Sequence, residues 1–259
     1  MDLSRFDWNF KIFRTPVRVM ISFWLLCVFF SPFSQGSDGP WLFGMLGWAC
    51  AVFASVLTHE LGHAFAMRKA YGLQPSIEMG IGTSRSGSFV FGGLTSLGAV
   101  SHSSYGKRAF TAAAGPGAEI GVALIFTFVL SILGVNFEVD RILGFIPAPT
   151  PDPQSLAFIP SAAILYFIYY LIYGYIYIGV LWGVFNLTPV YPFDGGQLLL
   201  ALLSRSYGAA GIRMTLIASI VCSIFVAFIF FRTQNFLMAL FFLFSAYQNY
   251  QLLTYQGYR

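Results

Sequence analysis

Charge is what this sequence most lacks. Only 9% of its 259 residues are charged, where soluble domains carry about 25%, so the chain has too little polar surface to cover a water-soluble fold. Cysteine is scarce as well. Cys27, Cys50 and Cys222 are odd in number and lie inside apolar runs, which argues against a disulfide framework and against a cysteine metal cluster. The net charge is only +4, and the basic residues flank apolar segments instead of gathering on one polar face, which speaks against a nucleic-acid partner. Hydrophobic residues make up 57% and aromatics 19% of the chain, with a mean hydropathy of +0.72. This is the composition of an integral membrane protein.

A bilayer-spanning helix needs about 20 mostly apolar residues. Six stretches qualify, at residues 17–34, 41–66, 108–134, 159–187, 208–231 and 234–254. The first lacks a cleavage-site pattern after it and reads as a retained anchor. Residues 72–100 are rich in Gly and Ser, and Ile77, Met79 and Ile81 alternate before a Ser84-Arg85-Ser86-Gly87 turn, with Phe89 and Phe91 after it. Alternation on both sides of a turn predicts a β-hairpin. Residues 135–158 carry Glu138, Asp140, Asp152 and four prolines, the pattern of an extended aqueous loop. The expected architecture is an all-α membrane protein of about six transmembrane helices, one polytopic domain over 1–259, with a small cytoplasmic-side β-hairpin.

Orientation follows from Lys and Arg. With a cytoplasmic N-terminus, one side receives Arg5, Lys11, Arg14, Arg18, Arg68, Lys69, Arg85, Lys107, Arg108, Arg205, Arg213 and Arg259, and the other only Arg141 and Arg232. That bias predicts both termini in the cytoplasm and, in a bacterium, the cell membrane as the bilayer.

Ionisable groups within spans are costly and mark function by default. The second span ends in Thr58-His59-Glu60-Leu61-Gly62-His63. On a helix, His59 and His63 project from nearly the same side one turn apart, a spacing that lets two imidazoles hold one Zn²⁺. Glu60 lies about 60° around from His63 and can act as a general base without being a ligand. A buried, hydrogen-bonded histidine pair is the bland alternative. A catalytic site usually has three protein ligands. His102 stands in a polar stretch and reads as solvated. The better candidate lies in Asn186-Leu-Thr-Pro189-Val-Tyr-Pro192-Phe-Asp194-Gly195-Gly196, where two prolines break the helix and paired glycines permit a sharp turn. Asp194 there is a metal ligand or an ordinary helix cap. Tyr166, Tyr169, Tyr170, Tyr173 and Tyr177 line the fourth span, either as packing or as a hydroxyl stripe along a groove.

Taken together, these motifs resemble the site-2 protease family of intramembrane zinc metalloproteases. His59-Glu60-Leu61-Gly62-His63 is similar to that family's H-E-x-x-H, and Asn186 to Gly196 to its N-x-x-P-x-x-P-x-D-G segment. Ala113-Ala114-Gly115-Pro116 resembles the Gly-Pro motif of its middle core helix, and Gly92-Gly93 fits the usual position in its hairpin. The resemblance covers about residues 41–203. It implies one Zn²⁺ per chain held by His59, His63 and Asp194, Glu60 as general base, and Asn186 as a donor to the oxyanion or substrate backbone. It also implies membrane-protein substrates cleaved in or near their transmembrane segments. One departure stands out: family members commonly carry Asn three residues after the Gly-Pro, and this chain has Glu119. A structural bond to the broken backbone near Asp194, or a part in substrate or oxyanion binding, are the two expectations for it. A transporter with a metal station would call for inverted repeats, which the sequence lacks, and a non-catalytic helix-binding scaffold is the third reading.

Overall fold

The computed structural model describes residues 6–29, 31, 41–85, 89–96, 104–132 and 162–257. The expected loop over 135–158, with Arg141, and His102 lie outside the described residues. The chain divides into two compact units, Met1–Ala99 with Gly117–Gly183, and Val100–Pro116 with Val184–Arg259.

The first unit is organised around one long helix and one sheet. Strands β1 (Trp8–Ile12) and β2 (Thr15–Val19) form a hairpin whose two turn residues, Phe13 and Arg14, both have positive φ, the backbone that two-residue hairpin turns require. After a nine-residue helix α1 (Ile21–Phe29) comes α2 (Trp41–Tyr71), closed by Gly72 at φ 67°, whose N–H reaches Arg68 O, a left-handed glycine stop. Strands β3 (Ser76–Thr83) and β4 (Phe89–Ser96) follow. The sheet order is β1-β2-β3-β4, with β2 and β3 parallel and the outer pairs antiparallel.

The expected hairpin is therefore half of a four-stranded sheet. Its buried face carries Val17, Val19, Ile77 and Met79, packed with Phe23, Val56, Leu57 and Ala64. On the other face Arg18 stands opposite Glu78 in register and bonds both Asp7 (2.6 Å) and Glu78 (3.0 Å), so no charge on that face is buried alone.

The first candidate span needs correction. Residues 15–19 are strand and α1 begins only at Ile21, while residues 30 and 32–34 of the candidate lie outside the described residues. Five helices among the described residues are long and apolar enough to cross a membrane. Val19 pairs with Met79 and Met79 with Gly93, which abuts Glu60, so the end of β2 lies level with Glu60 on α2.

Helix α2 owes its close packing to a stripe of small residues. Gly47, Ala51 and Ser55 recur every four residues and are buried. A Cβ on Gly47 would collide with Phe167 O, and one on Gly174 would lie 2.9 Å from Ala51 Cβ. Small residues at these points let backbones approach, as membrane helices commonly do. The same stripe continues to His59 and His63.

The second unit contains the start of helix α3 (Tyr105–Ile132), the end of α4 (Ala162–Asn186), then α5 (Asp194–Tyr207), α6 (Ala209–Arg232) and α7 (Phe236–Gly257). Helices α6 and α7 form a tight hairpin, with Asn235 Oδ1 accepting from Met238 N–H. Its core is Val190, Ala227 and Phe242, with Phe185, Phe193 and Phe230 against them.

Candidate metal centre

In the first unit the two histidines face each other across one helical turn, their Nε2 atoms 3.1 Å apart. Two nitrogens each at about 2.05 Å from a tetrahedral zinc would lie about 3.3 Å apart, so the pair is already spaced as neighbouring ligands of one ion. His59 Nδ1 stands 2.9 Å from Glu119 Oε2. A carboxylate on Nδ1 fixes the proton there and leaves the Nε2 lone pair for a metal. The donor set therefore fits zinc: two buried imidazoles, one already oriented from behind.

Glu119 is wholly buried, at 0% exposure. Its other oxygen accepts a hydrogen bond from Ser55 Oγ, four residues before His59 on the small-residue stripe. Both oxygens of Glu119 are thus engaged with α2. Helix α3 packs closely on α4, which presents glycines to it: a Cβ on Gly179 would lie 3.2 Å from Ala123, and one on Gly183 2.6 Å from Ile120.

Glu60 is held by the sheet. Thr95 Oγ1 on β4 lies 2.7 Å from Glu60 Oε2 and 3.0 Å from its backbone O. Two residues back on the same strand face, Gly93 leaves room for the carboxylate, since a Cβ there would come within 2.7 Å of Glu60 Cδ. This is the physical reason for glycine at that point. The edge strand and the general-base candidate are in direct contact.

Asp194 belongs to the second unit. It is the first residue of α5 and 8% exposed, and the cap position is taken by Phe193, with no side-chain cap bond. Phe193, not Asp194, thus occupies the cap position. Asn186 is the last residue of α4. Between them the broken backbone of 187–193 is satisfied from the C-terminal hairpin. Tyr191 N–H donates to Ser219 Oγ (3.0 Å), Ser219 Oγ donates to Pro189 O (3.3 Å), and Asn249 Nδ2 donates to Tyr191 O (2.7 Å). Gly195 and Gly196 lie directly against this segment, where a Cβ on either would strike the backbone of residues 187–191.

Ser55, Thr95, Ser219 and Asn249 bond the candidate site residues or the segment before Asp194, and sequence reasoning missed them. Only Ser55 carried a signal, its place four residues before His59. The tyrosines of α4 pack: Tyr169, Tyr173 and Tyr177 stack ring on ring, with centroids 5.7 and 5.9 Å apart. Tyr175 OH bonds Thr58 Oγ1 (3.0 Å) beside His59.

A helical membrane fold with H-E-x-x-H on a buried helix face defines the class of membrane metallopeptidases. The family model of peptidase family M50 matches residues 47–230, and the chain belongs to that family. It is 32% identical over 178 residues to sll0528 of Synechocystis, covering 68% of this chain and 36% of that protein. It is 29% identical over 198 residues to Rip3 of Mycobacterium tuberculosis, covering 73% of this chain and 40% of that protein. Both relatives bear the name zinc metalloprotease, and the chain spans less than half the length of either. The site-2 protease from Methanocaldococcus jannaschii has a similar fold, with a TM-score of 0.54, 20% identity and 94% of each chain covered.

Proposed function

We propose that this chain is an intramembrane zinc endopeptidase that hydrolyses peptide bonds in or near the transmembrane segments of other membrane proteins. The observation that carries the reading is the His59–His63 pair, spaced as metal ligands inside a span, with Glu60 on the adjoining face. His59, His63 and Asp194 would hold one zinc per chain. Asp194 is assigned through the Asn186–Gly196 motif and its burial at the start of α5. The catalytic core is 41–203, and the two units work as one polytopic domain.

Zinc, when bound, supplies Lewis acidity toward the scissile carbonyl. The chain's own residues do the rest. Glu60 accepts the proton of the attacking water and later gives it to the leaving amine, and Thr95 keeps its carboxylate in place. Glu119 and Ser55 orient His59. Asn186 donates to the oxyanion or to the substrate backbone. Water reaches the site from the cytoplasmic side, since chemistry that consumes water cannot run in lipid.

The test is Glu60→Gln in a reconstituted cleavage assay with zinc content measured alongside. Cleavage is expected to vanish while zinc stays bound. Cleavage at a near-normal rate overturns the mechanism, and loss of zinc makes Glu60 a ligand.

A further inference from the structure

We infer that the second unit carries a binding site for one anionic phospholipid, in a cavity of about 280 Å³ lined by Arg108, Tyr191, Leu200, Ser204, Leu216 and Leu252. Charge is the first argument. Residues 100–116 and 184–259, the unit's sequence, hold six basic residues (Lys107, Arg108, Arg205, Arg213, Arg232 and Arg259) and one acid, Asp194. Four of the six stand on the first turn of α3, the last turn of α5 and the first turns of α6, and one of them, Arg108, lines the cavity. Asp194 is at the opposite end of α5 from Ser204, about 15 Å away.

The second argument is two polar groups without protein partners. Arg108 has its backbone committed to the helix, N–H to Ser104 O and carbonyl to Thr111 Oγ1, and its guanidinium makes no ion pair or hydrogen bond among the described residues. Ser204 is 4% exposed, and its Oγ has no partner among the described residues. Buried hydroxyls are nearly always paired. Ser204 and the exposed Arg108 line the same cavity. A phosphodiester supplies what both lack, negative charge and several acceptor oxygens.

The third argument selects a lipid over a soluble phosphate. Leu200, Ile212, Leu216 and the exposed Leu252 give the cavity an apolar side, beside Tyr105, Tyr191 and Thr215. Helices α3, α6 and α7 are membrane spans, so the cavity opens at the end of the bilayer-crossing segments that the basic residues mark. Basic pockets between spans at that level take anionic headgroups. The site also touches the chemistry: Tyr191 lines the cavity, and its backbone is the point that Ser219 and Asn249 hold, three residues before Asp194. A bound headgroup would stiffen the segment leading into Asp194.

The experiment uses the full chain in nanodiscs containing phosphatidylglycerol and phosphatidylcholine with matched acyl chains, followed by native mass spectrometry of the lipid retained. One phosphatidylglycerol per chain is expected, preferred over phosphatidylcholine by about fivefold or more, since each basic contact contributes ~1 kcal/mol. Arg108→Gln should bring retention of the two lipids to parity, and Ser204→Ala should weaken the preference. Arg232→Gln, at the far end of α6, should leave it unchanged. Parity in the unaltered protein, or equal effects of Arg108→Gln and Arg232→Gln, overturns the site. Displacement of the lipid by excess inorganic phosphate would assign the cavity to a soluble anion and overturn the lipid.

Discussion

The carboxylate of Glu119 lies 2.9 Å from Nδ1 of His59, on the side away from His63. Partners behind a metal-binding histidine commonly govern affinity by about 10- to 100-fold. Replacing Glu119 by Leu should therefore lower zinc affinity by about that factor, measured by chelator competition on the purified protein. Glu119→Gln retains an acceptor oxygen and should lose much less. Equal zinc retention in the Leu variant would show that His59 needs no support from α3.

Gly93 and Glu60 make a second, independent test. Gly93→Ala places a methyl where the Glu60 carboxylate now sits. Displacing a catalytic group by about 1 Å can cost about 100-fold in rate. Cleavage should fall on that order with zinc content unchanged, because neither histidine is touched. Thr95→Val should act in the same direction and less severely, since it removes one hydrogen bond to the same carboxylate.

The histidine stripe is legible in the sequence because its logic is local: four residues on a helix return to the same face, and H-E-x-x-H states the whole pattern. The turn before α5 is legible from Pro189, Pro192, Gly195 and Gly196. The parallel pairing of β2 with β3 is not. Val17 and Ile77 are sixty residues apart, and no periodicity within either segment names its partner, so the sequence reads residues 17–19 as the beginning of a span. Of that stretch, Val17 and Val19 belong to a sheet face and residues 21–29 to α1. Ser219 and Asn249 were hidden differently. Single polar residues in apolar helices have no pattern, and their meaning depends on the backbone they meet.

That meaning can be tested at Asn249, which is buried and bonds both Tyr191 O and, at 2.8 Å, Ser245 O. Asn249→Leu leaves the Tyr191 carbonyl without its donor, at a cost of about 1–3 kcal/mol. The expected result is a lower Tm together with lower zinc occupancy, because the segment before Asp194 loosens. Asp194→Ala should lose zinc without a comparable change in Tm. If Asn249→Leu lowers Tm and leaves zinc occupancy intact, the hairpin supports the fold and not the ligand.

The last prediction concerns how substrate is held. A transmembrane helix hides its peptide bonds within its own hydrogen bonds, so it must unwind before attack, and an extended segment then needs new backbone partners. Strand addition to a free edge supplies them. Within the sheet, β4 is the outermost strand next to β3, and it is the strand whose Thr95 and Gly93 contact Glu60. We propose that unwound substrate pairs with β4 and is thereby laid beside the general base. In an antiparallel pair, successive residues alternately turn their N–H toward the partner and away from it. Proline substituted one position at a time over 89–94 should therefore give two classes. Where the N–H points to β3, proline breaks a ladder bond and lowers Tm. Where it points outward, Tm should hold, zinc should stay, and cleavage of a helical substrate should fall while an already extended peptide is cut normally. Unchanged or faster cleavage of the helical substrate at every outward position would make β4 a plug over the site and end the strand-addition proposal.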